Sequence, residues 1–308
     1  MKQIIKIGTR ESQLAVWQAT LVQSLLKEHG LQSELIFIKS EGDIDTITPL
    51  YELGVQGIFT KALDAALLNK NIDIAVHSLK DVPTKLATGI RQAAVLKRAS
   101  FKDIFVYKKD RSFLEDKMSK AVIATSSTRR IAQWLHRYPN HSIENLRGNV
   151  NTRLRKIGEH TWHGAIFAAA GLERIGLRPE NSVDLDWMLP APAQGAITIV
   201  CRTDDDFSLN ACAPLNDSST ALCTKIERDF LRALLGGCST PISALASLEN
   251  EKLVFKGNVC SPDGRKLIPI EKVCSVEDAG DLGSTAGAEF LQNDEAQQII
   301  YNIRNAEK

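Results

Sequence analysis

Three stretches of this chain repeat one chemical design. Gly8-Thr9-Arg10-Glu11-Ser12, Thr125-Ser126-Ser127-Thr128-Arg129-Arg130 and Arg147-Gly148-Asn149-Val150-Asn151-Thr152-Arg153 each place small hydroxyl or amide side chains beside arginine. Each stands where a strand signal gives way to helical spacing. The pattern predicts helix N-termini, whose first backbone N–H groups lack partners within the helix. Such termini attract anions, and in open α/β sheets ligands collect at the carboxyl ends of the strands. Arginine adds a rigid donor fork that matches a planar carboxylate or a phosphate. Between Ser126 and Lys156 the basic residues are Arg129, Arg130, Arg137, Arg147, Arg153, Arg155 and Lys156, against the single acid Glu144, a local charge of +6. The expectation is an anion-binding face whose arginines look into a solvated cleft. A plain solvated helix face would have the same composition.

Two further segments carry reactive groups. Ala75-Val76-His77-Ser78-Leu79-Lys80-Asp81-Val82-Pro83 ends a strand with four polar side chains, and Pro83 stops regular structure. Asp81 reads either as a surface partner of Lys80 or as a carboxylate able to stabilise a developing cation or move a proton. His77 reads as a base or as a satisfied structural histidine. Leu235-Gly236-Gly237-Cys238-Ser239-Thr240-Pro241 places one thiol in an irregular loop. Near arginines that thiol could ionise and act as a nucleophile; otherwise it is a small loop residue.

Composition sets the frame. The chain has 308 residues, 44% apolar and 24% charged, with 38 Lys and Arg against 37 Asp and Glu, a net charge of +1. Two or three soluble domains are expected. This balance argues against a nucleic-acid binder driven by overall charge and leaves a local basic patch open, but Trp134, Tyr138 and Trp162 make no stacking platform. The Gly-x-x-x-x-Gly-Lys-Ser/Thr phosphate loop is absent. No apolar run approaches the roughly 18 residues of a membrane span. The segment Met1–Ile7 is too short for a signal-peptide core, so a cytoplasmic location is expected. The six cysteines, Cys201, Cys212, Cys223, Cys238, Cys260 and Cys274, form no CxxC pair, so neither a zinc site nor any other metal is predicted.

The elements that must position these groups alternate strand and helix. Strands are predicted at Ile4–Gly8, Ser33–Ser40 and Ile72–His77, with helices over Ser12–His29 and Phe59–Asn69. After Lys97-Arg98 the rhythm restarts, with strands Ile104–Tyr107, Val122–Thr125 and Ala165–Ala168 and helices Ser127–Tyr138 and Val150–Ile157. The fold class is therefore α/β, with two lobes of the same style. Ala196–Cys201 is one more buried strand, of either lobe. The tail reads differently: a helix Ser218–Leu235, strands Ser243–Leu248, Leu253–Cys260 and Lys266–Cys274 with a turn at Pro262-Asp263-Gly264, and a last helix about Glu289–Arg304. That is a small C-terminal α+β domain.

Together these segments resemble the hydroxymethylbilane synthase family, also called porphobilinogen deaminases, of tetrapyrrole biosynthesis. The resemblance spans essentially the whole chain. It rests on Thr9-Arg10-x-Ser12-x-Leu14-Ala15, Val76-His77-Ser78-x-Lys80-Asp81-x-Pro83, Thr125-Ser126-Ser127-x-Arg129-Arg130, Arg147-Gly148-Asn149-Val150-x-Thr152-Arg153, Ala170-Gly171-Leu172-x-Arg174 and Gly236-Gly237-Cys238-x-x-Pro241, in the family's order.

The resemblance implies a transferase that joins four porphobilinogens head to tail, with loss of ammonia. It does so on a dipyrromethane primer held by a thioether to a cysteine, which Cys238 matches, and it releases hydroxymethylbilane. Asp81 matches the catalytic aspartate that stabilises the pyrrole cation as an azafulvene forms. Arg10, Ser12, Phe59, Ser78, Lys80, Thr125, Ser127, Arg129, Arg130, Arg147, Gly148, Arg153, Arg174, Gln194 and Gly195 match cofactor- or substrate-binding positions. The implied fold is two periplasmic-binding-protein-like lobes with a cleft between them, 1–97 with 196–214 and 98–195. A third domain, 215–308, carries the cysteine, and the protein is expected to act as a monomer.

The chain departs from the family pattern at Gln56-Gly57-Ile58-Phe59, Lys61-Ala62-Leu63-Asp64, Asn151 and Ser100-Phe101-Lys102-Asp103. The residues alone leave two rival classes. One is a two-lobed binding protein for a small anion. The other is a cysteine hydrolase or acyltransferase, which no His–Cys spacing supports.

Overall fold

A computed structural model describes residues 4–39, 60–234 and 240–306. Its strands in chain order are β1 (Ile5–Thr9), β2 (Ser33–Phe37), β3 (Ile74–Ser78), β4 (Ile90–Val95), β5 (Asp103–Tyr107), β6 (Val122–Ala124), β7 (Ser142–Glu144), β8 (Gly164–Ala168), β9 (Ser182–Asp184), β10 (Ile197–Arg202), β11 (Ile242–Glu249), β12 (Lys252–Cys260) and β13 (Leu267–Ser275). They form three sheets, ordered β2-β1-β3-β10-β4, β7-β6-β8-β5-β9 and β11-β12-β13. The described residues divide into two compact units. One runs to Ala99 and resumes at Gly195–Leu222; the other holds Ser100–Gln194 and the chain from Cys223 on.

In the first unit β1 lies parallel to both β2 and β3, with the helix Gln13–Glu28 as crossover. β10 runs antiparallel between β3 and β4, so the strand left open by the sequence belongs to this sheet. It sends apolar side chains toward both faces. Ile197, Ile199 and Cys201 join Ile5, Ile7 and Val76 under Ala19, Val22 and Leu26. Val200 joins Ala75 and Ile72 under Leu63 and Leu67 of the helix Lys61–Leu68 on the other side. Burying each of the valine, leucine and isoleucine side chains stabilises the fold by about 1.5–3 kcal/mol.

In the second unit β6 is parallel to β7 and β8, and β5 is antiparallel between β8 and β9. The topology repeats that of the first sheet. Helices Thr128–Arg137 and Val150–Glu159 follow β6 and β7. Trp134 is fully buried against Phe105, with Tyr138 beside it. The same unit contains the antiparallel meander β11-β12-β13. Phe230 of the helix Ser218–Ala233 packs edge-on against Phe255 and Phe290. The β12–β13 turn sits on the helix Thr128–Arg137: Gly264 has φ +74, a Cβ there would lie 2.6 Å from the His136 backbone nitrogen, and its carbonyl is 2.8 Å from His136 Nδ1.

The elements depart from expectation in a few places. The last helix is two, Leu282–Phe290 and Asp294–Ala306: the first ends with Leu291 as its C-cap residue, and Asn293 caps the second by accepting the Ala296 N–H at 2.9 Å. β4, β7 and β9 carried no strand reading. Among the described residues no helix is long and apolar enough to cross a membrane.

Candidate functional site

In the first unit the parallel pairing of β1 and β3 brings their carboxyl ends to one edge of the sheet. Arg10 follows β1, and Ser12 is the N-cap residue of the next helix. Ser78 ends β3 and accepts a hydrogen bond from Gln18 Nε2 at 2.8 Å, which ties the helix to the strand end. Leu79–Asp81 forms a single 3-10 turn closed by Val82 N–H to the Leu79 carbonyl at 3.2 Å. Lys80 and Asp81 are half-buried on that turn. Because β10 is antiparallel, its start comes to the same edge: Ile197 pairs with Ser78, and the Leu79 N–H donates to the Ala196 carbonyl at 3.0 Å. The structure thus gathers Arg10, Ser12, Ser78, Lys80, Asp81 and Gly195. His77 is buried. Burial, reinforced by the charge of Arg10, pushes its imidazole down to about 4, so it is neutral at pH 7.

In the second unit three parallel strand ends meet in the same way. Ser127 caps the helix Thr128–Arg137, and Asn149 caps Val150–Glu159, accepting the Thr152 N–H at 2.9 Å. Neither helix, nor Gln13–Glu28 in the first unit, has an acid in its first turn. Ser126 Oγ holds the two loops together through the Leu146 carbonyl at 2.7 Å and the Leu146 N–H at 2.8 Å. Gly148 has φ +108, and a Cβ there would lie 2.7 Å from Thr152 Cγ2, so only glycine leaves this turn unstrained. Arg153 Nε donates to the Gly148 carbonyl at 2.7 Å. Arg174 follows the short helix after β8; burial lowers its guanidinium to about 10, with Glu173 opposing.

The arginine pair differs from expectation. Arg129, Arg130 and Arg147 are 4%, 6% and 4% exposed, so none looks into solvent. Asp103, at the start of antiparallel β5, reaches the same edge and is fully buried. Arg129 Nη2 meets Asp103 Oδ2 at 2.7 Å, and its Nη1 donates to the Leu189 carbonyl at 2.7 Å. Arg130 donates to Asp103 Oδ1 from Nε at 3.1 Å and Nη2 at 2.8 Å, and from Nη1 to the Ile166 carbonyl at 3.0 Å. Gln194 Nε2 adds a bond to Asp103 Oδ1 at 3.0 Å and one to the Phe101 carbonyl at 2.7 Å. Burial lowers the Arg129 guanidinium, Asp103 opposes that, and neighbouring Arg130 lowers it again. The three formal charges sum to +1, so Asp103 balances only one of the two guanidinium groups.

Sequence reasoning missed Asp103, which it read only within the Ser100–Asp103 departure, and Gln133. Gln133 accepts from the Leu189 N–H at 2.9 Å and donates to the Leu189 carbonyl at 3.0 Å. No local signal marks Asp103, because its partner Arg130 lies 27 residues further along the chain. Phe59 and Cys238 lie outside the described residues. Of the other thiols, Cys212 and Cys260 are pushed up to about 12 by burial, which makes them unreactive.

Comparison with known proteins bears on this arrangement. A family model described as porphobilinogen deaminase, dipyromethane cofactor binding domain, matches residues 5–210, and one for the porphobilinogen deaminase C-terminal domain matches 221–292. Porphobilinogen deaminases of two strains of Acidithiobacillus ferrooxidans are 40% identical over 312 residues, 99% of this chain and 100% of theirs. A solved methionine-binding protein is 15% identical, covering 70% of this chain and 91% of its own, with a TM-score of 0.44, too slight a likeness to add to the assignment. The two family models and the full-length identity together place the chain in the porphobilinogen deaminase family, as a transferase of tetrapyrrole synthesis with a dipyrromethane-binding domain.

Proposed function

We propose that the chain joins four porphobilinogens head to tail, releasing ammonia at each addition, on a dipyrromethane attached by a thioether to Cys238, and that it releases hydroxymethylbilane. The observation that carries this reading is the set Arg129, Arg130, Arg147 and Arg153 at the N-termini of two helices whose first turns hold no acid. Each pyrrole of the cofactor bears an acetate and a propionate, and that donor set suits a string of carboxylates. Gly148 supports the fit, since its left-handed turn leaves no side chain over the loop backbone.

Thr125, Ser127, Arg129, Arg130, Arg147, Gly148, Arg153 and Arg174 would hold carboxylates from the second unit; Arg10, Ser12, Phe59, Ser78, Lys80, Gln194 and Gly195 complete the set. When bound, the dipyrromethane supplies the pyrrole carbon from which the product grows. Asp81 balances the positive charge that develops on the incoming porphobilinogen as its amine departs. Lys80 and Arg10 orient that substrate through its carboxylates. His77, neutral at pH 7, leaves the charge balance to Asp81. The same reading assigns three domains, 1–97 with 196–214, 98–195 and 215–308. It gives a cytoplasmic monomer that takes neither nucleic acid nor membrane.

The test is the intact mass of protein purified from a cell that makes porphobilinogen. The mass should exceed that of the sequence by two linked pyrrole units, and a thiol reductant should not remove the excess, because a thioether is not reducible. Cys238→Ser should lose the thioether adduct and the activity. An active protein of bare sequence mass refutes the attachment.

A further inference from the structure

Glu227 belongs to none of the motifs above, yet its hydrogen bonds lead back to the site. It lies on the helix Ser218–Ala233 and is fully buried. Its Oε2 accepts the backbone N–H of Ala193 at 2.6 Å, and its Oε1 accepts that of Ala246 at 2.8 Å. Ala193 is itself fully buried and has φ +63, in the left-handed region that a residue with a side chain rarely adopts. The next residue is Gln194, whose side-chain amide reaches the Phe101 carbonyl and Asp103. Asp103 in turn holds Arg129 and Arg130.

The contacts form one continuous chain within one unit. An alanine with nothing to hold it relaxes to negative φ, and that turn would swing Gln194 away from Asp103. A carboxylate suits the holding task because both oxygens accept, one for each N–H. We propose that Glu227 is a positioning residue: it fixes the backbone at Ala193, and through Gln194 keeps Asp103, Arg129 and Arg130 in the geometry that receives a substrate carboxylate. The proposal rests on the carboxylate-binding reading of Arg129 and Arg130.

The experiment compares the holoenzyme with Glu227→Gln, Glu227→Asp, and each of these combined with Ala193→Gly. Glutamine turns one acceptor into a donor that faces an N–H; aspartate keeps the charge and shortens the reach, which covers the case where the glutamine variant does not fold. Each single variant should speed amide exchange at Ala193 and Gln194 and lower kcat/KM for porphobilinogen by about tenfold. Adding Ala193→Gly should restore kcat/KM to within about threefold, because glycine occupies positive φ without strain. The melting temperature should stay low, since the Ala246 contact is still impaired. A purely structural glutamate would not be rescued by a glycine at 193. Unchanged exchange at 193–194, or no recovery in the double variants, overturns the proposal. Arg129→Lys, measured alongside, isolates the underlying reading. A rate loss there with Glu227→Gln unmoved overturns the positioning role alone, and unmoved rates in both overturn the carboxylate reading with it.

Discussion

Asp103 shows how one buried acid changes what an arginine pair can do. Two adjacent guanidinium groups held beside one carboxylate are tied to the protein before any ligand arrives, and their removal from water is compensated only while that carboxylate is charged. Asp103→Asn should therefore lower stability by about 3–5 kcal/mol, read as a shifted midpoint in urea denaturation. A midpoint within error of wild type would mean that the arginines find other acceptors. Arg130→Leu should destabilise as well, because Arg130 is buried on Asp103 rather than facing the solvated cleft expected from the sequence.

His77 gives a prediction with a sign. Its pKa in the fold, about 4, lies below the ordinary 6.5, so the unfolded chain takes up the proton first. The stability it allows is complete above pH 6.5 and is lost as pH falls toward 4, by on the order of 3 kcal/mol. His77→Gln should flatten the urea midpoint over that range relative to wild type; an unchanged slope rules the histidine out as the source. Asp81→Asn keeps the shape of the turn and removes its charge, so ammonia release in a single turnover should slow by about a hundredfold or more. Substrate binding should persist, because the arginines remain.

Between strand and helix, the loop Arg147–Asn149 combines a cap with a backbone that only glycine tolerates. Gly148→Ala meets both a positive φ and Thr152 at 2.7 Å, and the strain should move the loop rather than the helix. The expected result is a KM for porphobilinogen raised about tenfold with a nearly unchanged melting temperature. An unmoved KM would separate this loop from substrate binding.

Such junctions were legible in the sequence because the signals are local: a cap side chain and the start of helical spacing lie within five residues. The same holds for the β12–β13 turn at Asp263-Gly264. What was not legible depends on distant partners. Nothing near Arg130 in the chain announces Asp103, 27 residues away. Ile90–Val95 places Arg91 and Gln92 in a strand, and only its pairing with β10 makes it one. Gln194 could be matched to a motif, but the strained Ala193 behind it, and the glutamate on a later helix that holds it, depend on the tertiary fold.

At the scale of the whole molecule, the two α/β sheets share one topology but are completed at different times. β5, the antiparallel strand of the second sheet, precedes the rest of that sheet, so residues 103–184 contain all five strands. The first sheet takes its antiparallel strand from β10, nearly a hundred residues after the chain has left. β10 is no edge addition. It pairs with β3 and β4 at once, and its side chains enter the apolar clusters on both faces. Without it β3 and β4 have no common partner and expose a row of unpaired N–H and carbonyl groups beside uncovered apolar surface. A fragment of residues 1–99 should therefore bind a hydrophobic dye and leave the β3 and β4 amides open to exchange. The same fragment joined by a short glycine-serine linker to residues 195–222 should bind no dye and protect those amides. Protected β3 and β4 amides in the fragment without β10 would show that β1, β2 and β3 with their two helices suffice, and that β10 only caps a sheet already formed.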